Sequence, residues 1–147
     1  MVAKRLLLWM VPVILVLAAL FVLVNDDTRD WLLWTRFRSQ LNADRISKVE
    51  VSGPGKKIVL TEDERRQVLE WLREARFERS NRVGHGPTAE VLLILFSPAF
   101  KNGWVSVGFW GGHTFETGAR NLDPRSQFLV ESEPLGQWLR EKFSIRK

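Results

Sequence analysis

The feature that most constrains this chain is an apolar run without a single charge, Leu6 to Val24, LLLWMVPVILVLAALFVLV. As a helix rising about 1.5 Å per residue it spans roughly 28 Å, close to the hydrocarbon thickness of a bilayer. Lipid offers no partner to backbone polar groups, so a lone segment at that depth must be helical. Pro12 falls in the first half and predicts a kink, tolerated where the freed carbonyl finds another donor. Lys4 and Arg5 flank one end, and Asn25, Asp26, Asp27 and Asp30 crowd the other. The positive-inside rule predicts a cytoplasmic N-terminus and an extracytoplasmic remainder, with residues 1–25 forming the basic tip and a single transmembrane helix.

Two other fates compete with a retained anchor. Val16 and Ala18 offer the small residues of a signal-peptidase site, but cutting there would leave ALFVLV at the new terminus. Leu17-Ala18-Ala19-Leu20 is similar to a lipoprotein signal with leucine where the lipidated cysteine must be, which excludes that modification.

Residues 26–45 read as a juxtamembrane amphipathic linker. Trp31, Trp34 and Phe37 recur at helical spacing, with Arg36 and Arg38 around the last, and Asp27 or Thr28 is available as a cap. Trp31, Trp34, Arg36 and Arg38 are therefore candidates for a membrane-interface collar, tryptophan at headgroup depth and arginine on phosphate. A linker helix whose tryptophans pack on the domain is the competing expectation.

The chain has 147 residues, so removing the anchor leaves about 120, enough for one core without a metal or disulfide. Setting Lys4 and Arg5 aside leaves 20 basic residues against 17 acidic ones, too slight an excess for a nucleic-acid footprint. With no cysteine, disulfides, thiolate catalysis and cysteine-based zinc sites are excluded.

Residues 46–147 are predicted to form one α+β domain. Ile46–Val51 and Lys56–Leu60 read as strands around the turn Gly53-Pro54-Gly55. Thr61-Glu62-Asp63-Glu64 is a capping box, followed by the helical stripe Val68, Trp71, Leu72 and Ala75, with Arg66 and Glu70 spaced as an ion pair. In Glu90–Phe96 both alternate sets are apolar, which predicts a central strand covered on both faces. Trp104–Trp110, a partner strand from His113 and Gln127–Glu131 complete the sheet. Ser132 then caps a last helix with Leu135, Trp138, Leu139 and Phe143 inward. The expected order is β-β-α-β-β-β-β-α, an antiparallel sheet with two packing helices. Between about Ile46 and Phe143 this pattern resembles the small extracytoplasmic domains of bacterial envelope proteins and lipoproteins. The resemblance implies an outward-facing, non-catalytic role and brings no catalytic residue with it.

Few residues suggest chemistry. His85 and His113 are the only histidines, and with Glu116 or Asp123 they could in principle hold a metal, but no H-x-H or H-x-x-x-H spacing supports it. Gly53-Pro54-Gly55-Lys56-Lys57 lacks the Walker spacing, and no G-x-S-x-G is present. Arg73, Arg76, Arg79 and Arg82 recur every third residue, interleaved with Glu70, Glu74 and Glu78, a solvated face or a loose basic edge.

The second hairpin is more suggestive. With Gly111-Gly112 as a two-residue turn, Trp110 pairs with His113 and Gly108 with Phe115. Trp104, Trp110, His113 and Phe115 then share one face, a possible partner-binding surface unless another element packs on it. The sequence thus predicts a membrane-anchored, non-enzymatic module that binds or scaffolds an envelope protein or wall polymer, with no cofactor and no nucleic-acid partner. One alternative is a metal-assisted hydrolase using His85 and His113. Another is an inverted topology that leaves the domain facing the cytoplasm.

Overall fold

The computed structural model describes residues 2–81, 89–118 and 126–145. Among the described residues the fold is α+β, with four helices and one seven-stranded antiparallel sheet. Helices α1 (Val2–Val24) and α2 (Asp26–Arg38) precede strands β1 (Lys48–Gly53) and β2 (Lys56–Val59). Helix α3 (Glu62–Arg73) leads to β3 (Arg76–Ser80), β4 (Val91–Phe96), β5 (Trp104–Phe109), β6 (Thr114–Thr117) and β7 (Phe128–Glu131), and α4 (Glu133–Phe143) closes the chain. The strand order is β2-β1-β4-β5-β6-β7-β3.

Every side chain from Met10 to Phe21 in α1 is exposed. Among the described residues no single helix is long and apolar enough to cross a membrane. Met10–Phe21 and Asp26–Arg38 meet that test only together, as a pair bent by 89°.

The sheet buries one face. Register places Val49 and Val51, Val91, Leu93 and Leu95, Val105, Val107 and Phe109, Phe115, Phe128 and Val130 on the same side, all at most 7% exposed. Helices α2, α3 and α4 cover that side with Trp34 and Phe37, Val68, Leu69 and Leu72, and Leu135, Leu139 and Phe143. Helix α2 therefore contributes Trp34 and Phe37 to the core. Trp34 meets Phe128 edge-on at 5.7 Å between ring centres, and Phe37 stacks on Phe100 at 6.1 Å. Trp34 thus belongs to the core and not to a membrane collar. Its indole outcompetes the interface because the sheet offers it a dry aromatic wall. The cap of α2 is Asn25, which accepts from the Thr28 N–H at 3.1 Å, in place of Asp27 or Thr28.

The capping box of α3 forms as the sequence predicts. The Thr61 hydroxyl accepts from the Glu64 N–H at 3.3 Å, and the Glu64 carboxylate accepts from the Thr61 N–H at 3.1 Å. Arg66 pairs with Glu62 and not with Glu70, one turn towards the N-terminus. Ser132 occupies the cap position of α4, but its hydroxyl donates to the Trp71 carbonyl at 3.2 Å and so links α3 to α4.

Strand β3 is an element the sequence pattern does not reveal. Arg73 and Arg76 read as one helical row, yet α3 stops at Arg73 and Arg76–Ser80 pairs with β7 across a bulge between Phe77 and Arg79. Phe77 is the one apolar side chain that β3 turns to the core, 5.9 Å from the Phe128 ring, so no apolar alternation marks this charged edge strand. Arg76 pairs with Glu131, which removes it from any free basic row.

Lys142 of α4 reaches Glu64 and ties the two helices together. The Lys142 ammonium, and next the Thr61 N–H, hold the Glu64 carboxyl below its ordinary 4.5. Arg76 likewise depresses Glu131, and Lys48 with Lys57 depresses Glu50. Depressed carboxyls stabilise the fold above the unfolded value and lose that contribution as pH falls through the folded one. Thermal unfolding should therefore hold steady near neutrality and drop below about pH 4.5. Glu64→Gln should lower the melting temperature at about pH 7 and cost less at an acidic pH low enough to protonate the wild-type carboxyl. An equal loss at both pH values would show that the helix pairing does not depend on this charge.

Candidate functional site

The second face of the sheet carries Lys48 and Glu50 from β1, Leu92, Ile94 and Phe96 from β4, Trp104, Ser106 and Gly108 from β5 and Glu116 from β6. No helix among the described residues packs on it. Trp104 is 49% exposed and Leu92 37%, while Ile94 and Phe96 are half-buried by their neighbours. The double apolar pattern of β4 thus predicts cover on both faces, but the helices cover only one. A residue pattern reports side-chain polarity, and the number of helices available decides which face they take.

At the β1 end the face is closed by charge. Lys48 and Lys57 each stand 2.8 Å from the Glu50 carboxylate, and the Lys48 ammonium lies 4.4 Å from the centre of the Phe96 ring. Towards β5 and β6 it opens into a groove of about 250 Å³ lined by Leu92, Lys101, Asn102, Trp104, Ser106, Gly108, Trp110, Glu116 and Gln127. Gly108 forms its floor. A Cβ there would stand 3.1 Å from that of Ala89 and 3.5 Å from the Trp110 Nε1, so the indole lies over bare backbone. The Trp110 indole N–H is enclosed and has no acceptor among the described residues. Gln127 donates to Glu116, which fixes the carboxylate at the groove wall.

The four expected face residues divide. Trp104 and Trp110 line the groove. Phe115 does not, because Phe109 pairs with Phe115 and Gly108 with Glu116. The Trp110 N–H donates to the Thr114 carbonyl and the Thr114 N–H to the Gly111 carbonyl, so three residues, Gly111, Gly112 and His113, make the turn. Gly111 at φ 97° and Gly112 at φ 58° supply the left-handed backbone it needs. One extra loop residue moves every side chain of the returning strand to the opposite face. Phe115 therefore enters the core at 0% exposure, 5.1 Å from Phe109, and Glu116 takes its expected place. His113 is exposed in the turn, and its Cα and Cβ sit close to Gly136 of α4. His85 and Asp123 lie outside the described residues, as does Arg82. Among the described residues no three His, Asp or Glu side chains converge as a metal site.

Of the collar candidates, Trp31, Arg36 and Arg38 are exposed on α2. Missed by the sequence reading were Leu92, Glu116 and Gln127 in the groove and Leu32 on α2. The signal for Glu116 was present in the turn glycines, but reading it required knowing the loop length.

A flat exposed indole, a second indole with an enclosed donor, a fixed carboxylate and nearby amide and ammonium groups suit a ligand offering both a flat apolar surface and hydrogen bonds. No known family matches this chain, and no curated protein or solved structure does so either. What the structure defines is a class by shape, a two-layer α+β sandwich with three helices on one sheet face and an aromatic groove on the other.

Proposed function

We propose that this chain is a single-pass membrane protein whose extracytoplasmic domain holds an envelope partner, a protein or a wall polymer, against the open sheet face. The observation that carries the reading is the groove around Trp104 and Trp110, an aromatic surface left uncovered by any described helix. Exposed aromatic patches of this kind mark interaction sites in proteins that otherwise bury their large apolar side chains. The anchor rests on the uncharged run Leu6–Val24, on the exposure of all of Met10–Phe21, and on the Lys4-Arg5 pair before it. A helix apolar on every side needs lipid or protein around it.

Trp104→Ala tests the groove. Half its surface already meets water, so the fold should lose no more than about 1 kcal/mol. The full-length variant should nevertheless fail to retain the partner that wild type recovers from detergent-solubilised membranes. Equal recovery by both proteins, or no specific recovery by wild type, would end the proposal. Protease added to spheroplasts should digest the domain; protection would put it on the cytoplasmic side instead.

A further inference from the structure

We propose that α2 lies along the membrane surface with Leu32 and Trp31 in the phospholipid headgroup layer, which turns the open sheet face away from the bilayer. The inference rests on the reading that α1 is embedded in lipid, and it goes further by fixing how the domain stands on that anchor.

Only Asn25 separates the two helices, and its N–H still donates to the Phe21 carbonyl at 2.9 Å. The chain therefore has no slack with which to lift α2 clear of the surface. The axes of Met10–Phe21 and Asp26–Arg38 meet at 89°. A helix perpendicular to one that crosses a bilayer runs along its plane. Asp30, Trp34 and Phe37 form the stripe of α2 buried in the domain. At about 100° per residue Leu32 falls opposite that stripe, with Trp31 and Arg36 to either side.

The chemistry of that outer face fits the headgroup region. Trp31 is 49% and Leu32 45% exposed, two adjacent large apolar side chains on a helix that otherwise buries its aromatic ones. Tryptophan partitions to this depth, and the exposed Arg36 is placed to pair with lipid phosphate.

Orientation follows from layer order. The buried stripe of α2 covers the core side of the sheet through the Trp34–Phe128 and Phe37–Phe100 contacts. Bilayer, helix and sheet then stack in that order, and the groove at Trp104 and Trp110 opens on the far side. A partner reaches it from the space beyond the membrane, and a helix diffusing within the bilayer cannot.

The absence of cysteine allows a direct measurement on the full chain. Val13→Cys, Leu32→Cys and Lys101→Cys each replace an exposed side chain and accept a nitroxide without touching the core. In vesicles of phosphatidylethanolamine and phosphatidylglycerol, relaxation by oxygen is compared with relaxation by a water-soluble nickel chelate. The oxygen-to-nickel ratio should be highest at position 13, intermediate at 32 and lowest at 101. A ratio at 32 as low as that at 101, with 13 still in lipid, overturns the in-plane helix and leaves the anchor standing. Shielding of 101 equal to that of 32 overturns the outward groove. Nickel access at 13 removes the anchor itself.

Discussion

Replacing Trp34 with alanine should destabilise the domain by about 3–5 kcal/mol, whereas Trp31→Ala should change stability by less than about 1 kcal/mol. The two residues look alike in the sequence, three positions apart beside an apolar helix, and either could serve a lipid interface. In the fold Trp34 is 1% exposed between Phe37 and Phe128, while Trp31 is half-exposed. The Trp34 indole N–H finds no acceptor among the described residues, so packing and not a hydrogen bond holds it. Truncation opens a large cavity beneath β7 and leaves the ring of Phe128 without its edge-on partner. Thermal unfolding of both variants in detergent, followed by far-ultraviolet circular dichroism, decides the matter. Matching melting temperatures would mean that α2 is a detached linker and that the core begins after it.

Phe115→Ala should cost a similar amount, about 3–5 kcal/mol, because its ring is fully buried against Phe109 and faces Val130 across β6 and β7. This variant reads the register of the second hairpin. Were the turn two residues long, Phe115 would lie beside Gly108 on the open face and its loss would be tolerated about as well as that of Trp104. Denaturant unfolding that leaves Phe115→Ala close to wild type would restore that register and remove Glu116 from the groove wall. A large loss in Phe115→Ala beside a small one in Trp104→Ala is the pattern the three-residue turn requires.

Much of the fold was legible because local rules and tertiary contacts agree. The capping box at Thr61 and Glu64 lies where the residues announce it, and α3 and α4 bury Val68, Leu72, Leu135, Leu139 and Phe143 as their spacing demands. Six strands follow from turn residues and apolar runs. The seventh, Arg76–Ser80, was not legible, since a charged edge strand with one apolar inward side chain draws its existence from hydrogen bonds to β7. Arginines at every third position imitated a helix that the backbone had already left.

The candidate site was half legible. Trp104 and Trp110 stand out as aromatic residues in an alternating strand, and the groove forms around them. Phe115 was misplaced by one residue of loop length, a quantity that two adjacent glycines leave open because both two- and three-residue turns use them. Whether the second face of β4 is covered could not be read either, since Leu92, Ile94 and Phe96 are as apolar as the buried set.

By itself the sequence determined the class of fold, the uncharged N-terminal run, the exclusion of cysteine chemistry and α3 and α4, two of the three helices that cover the core. These depend on short-range periodicity and on composition, which a linear chain displays directly. Only the tertiary structure decided that Trp34 is core and Trp31 is not, that Glu116 replaces Phe115 beside the groove, and that one sheet face stays open. Each of those depends on which surfaces meet across long stretches of chain. Burial there is settled by competition among many apolar groups for a limited dry interior.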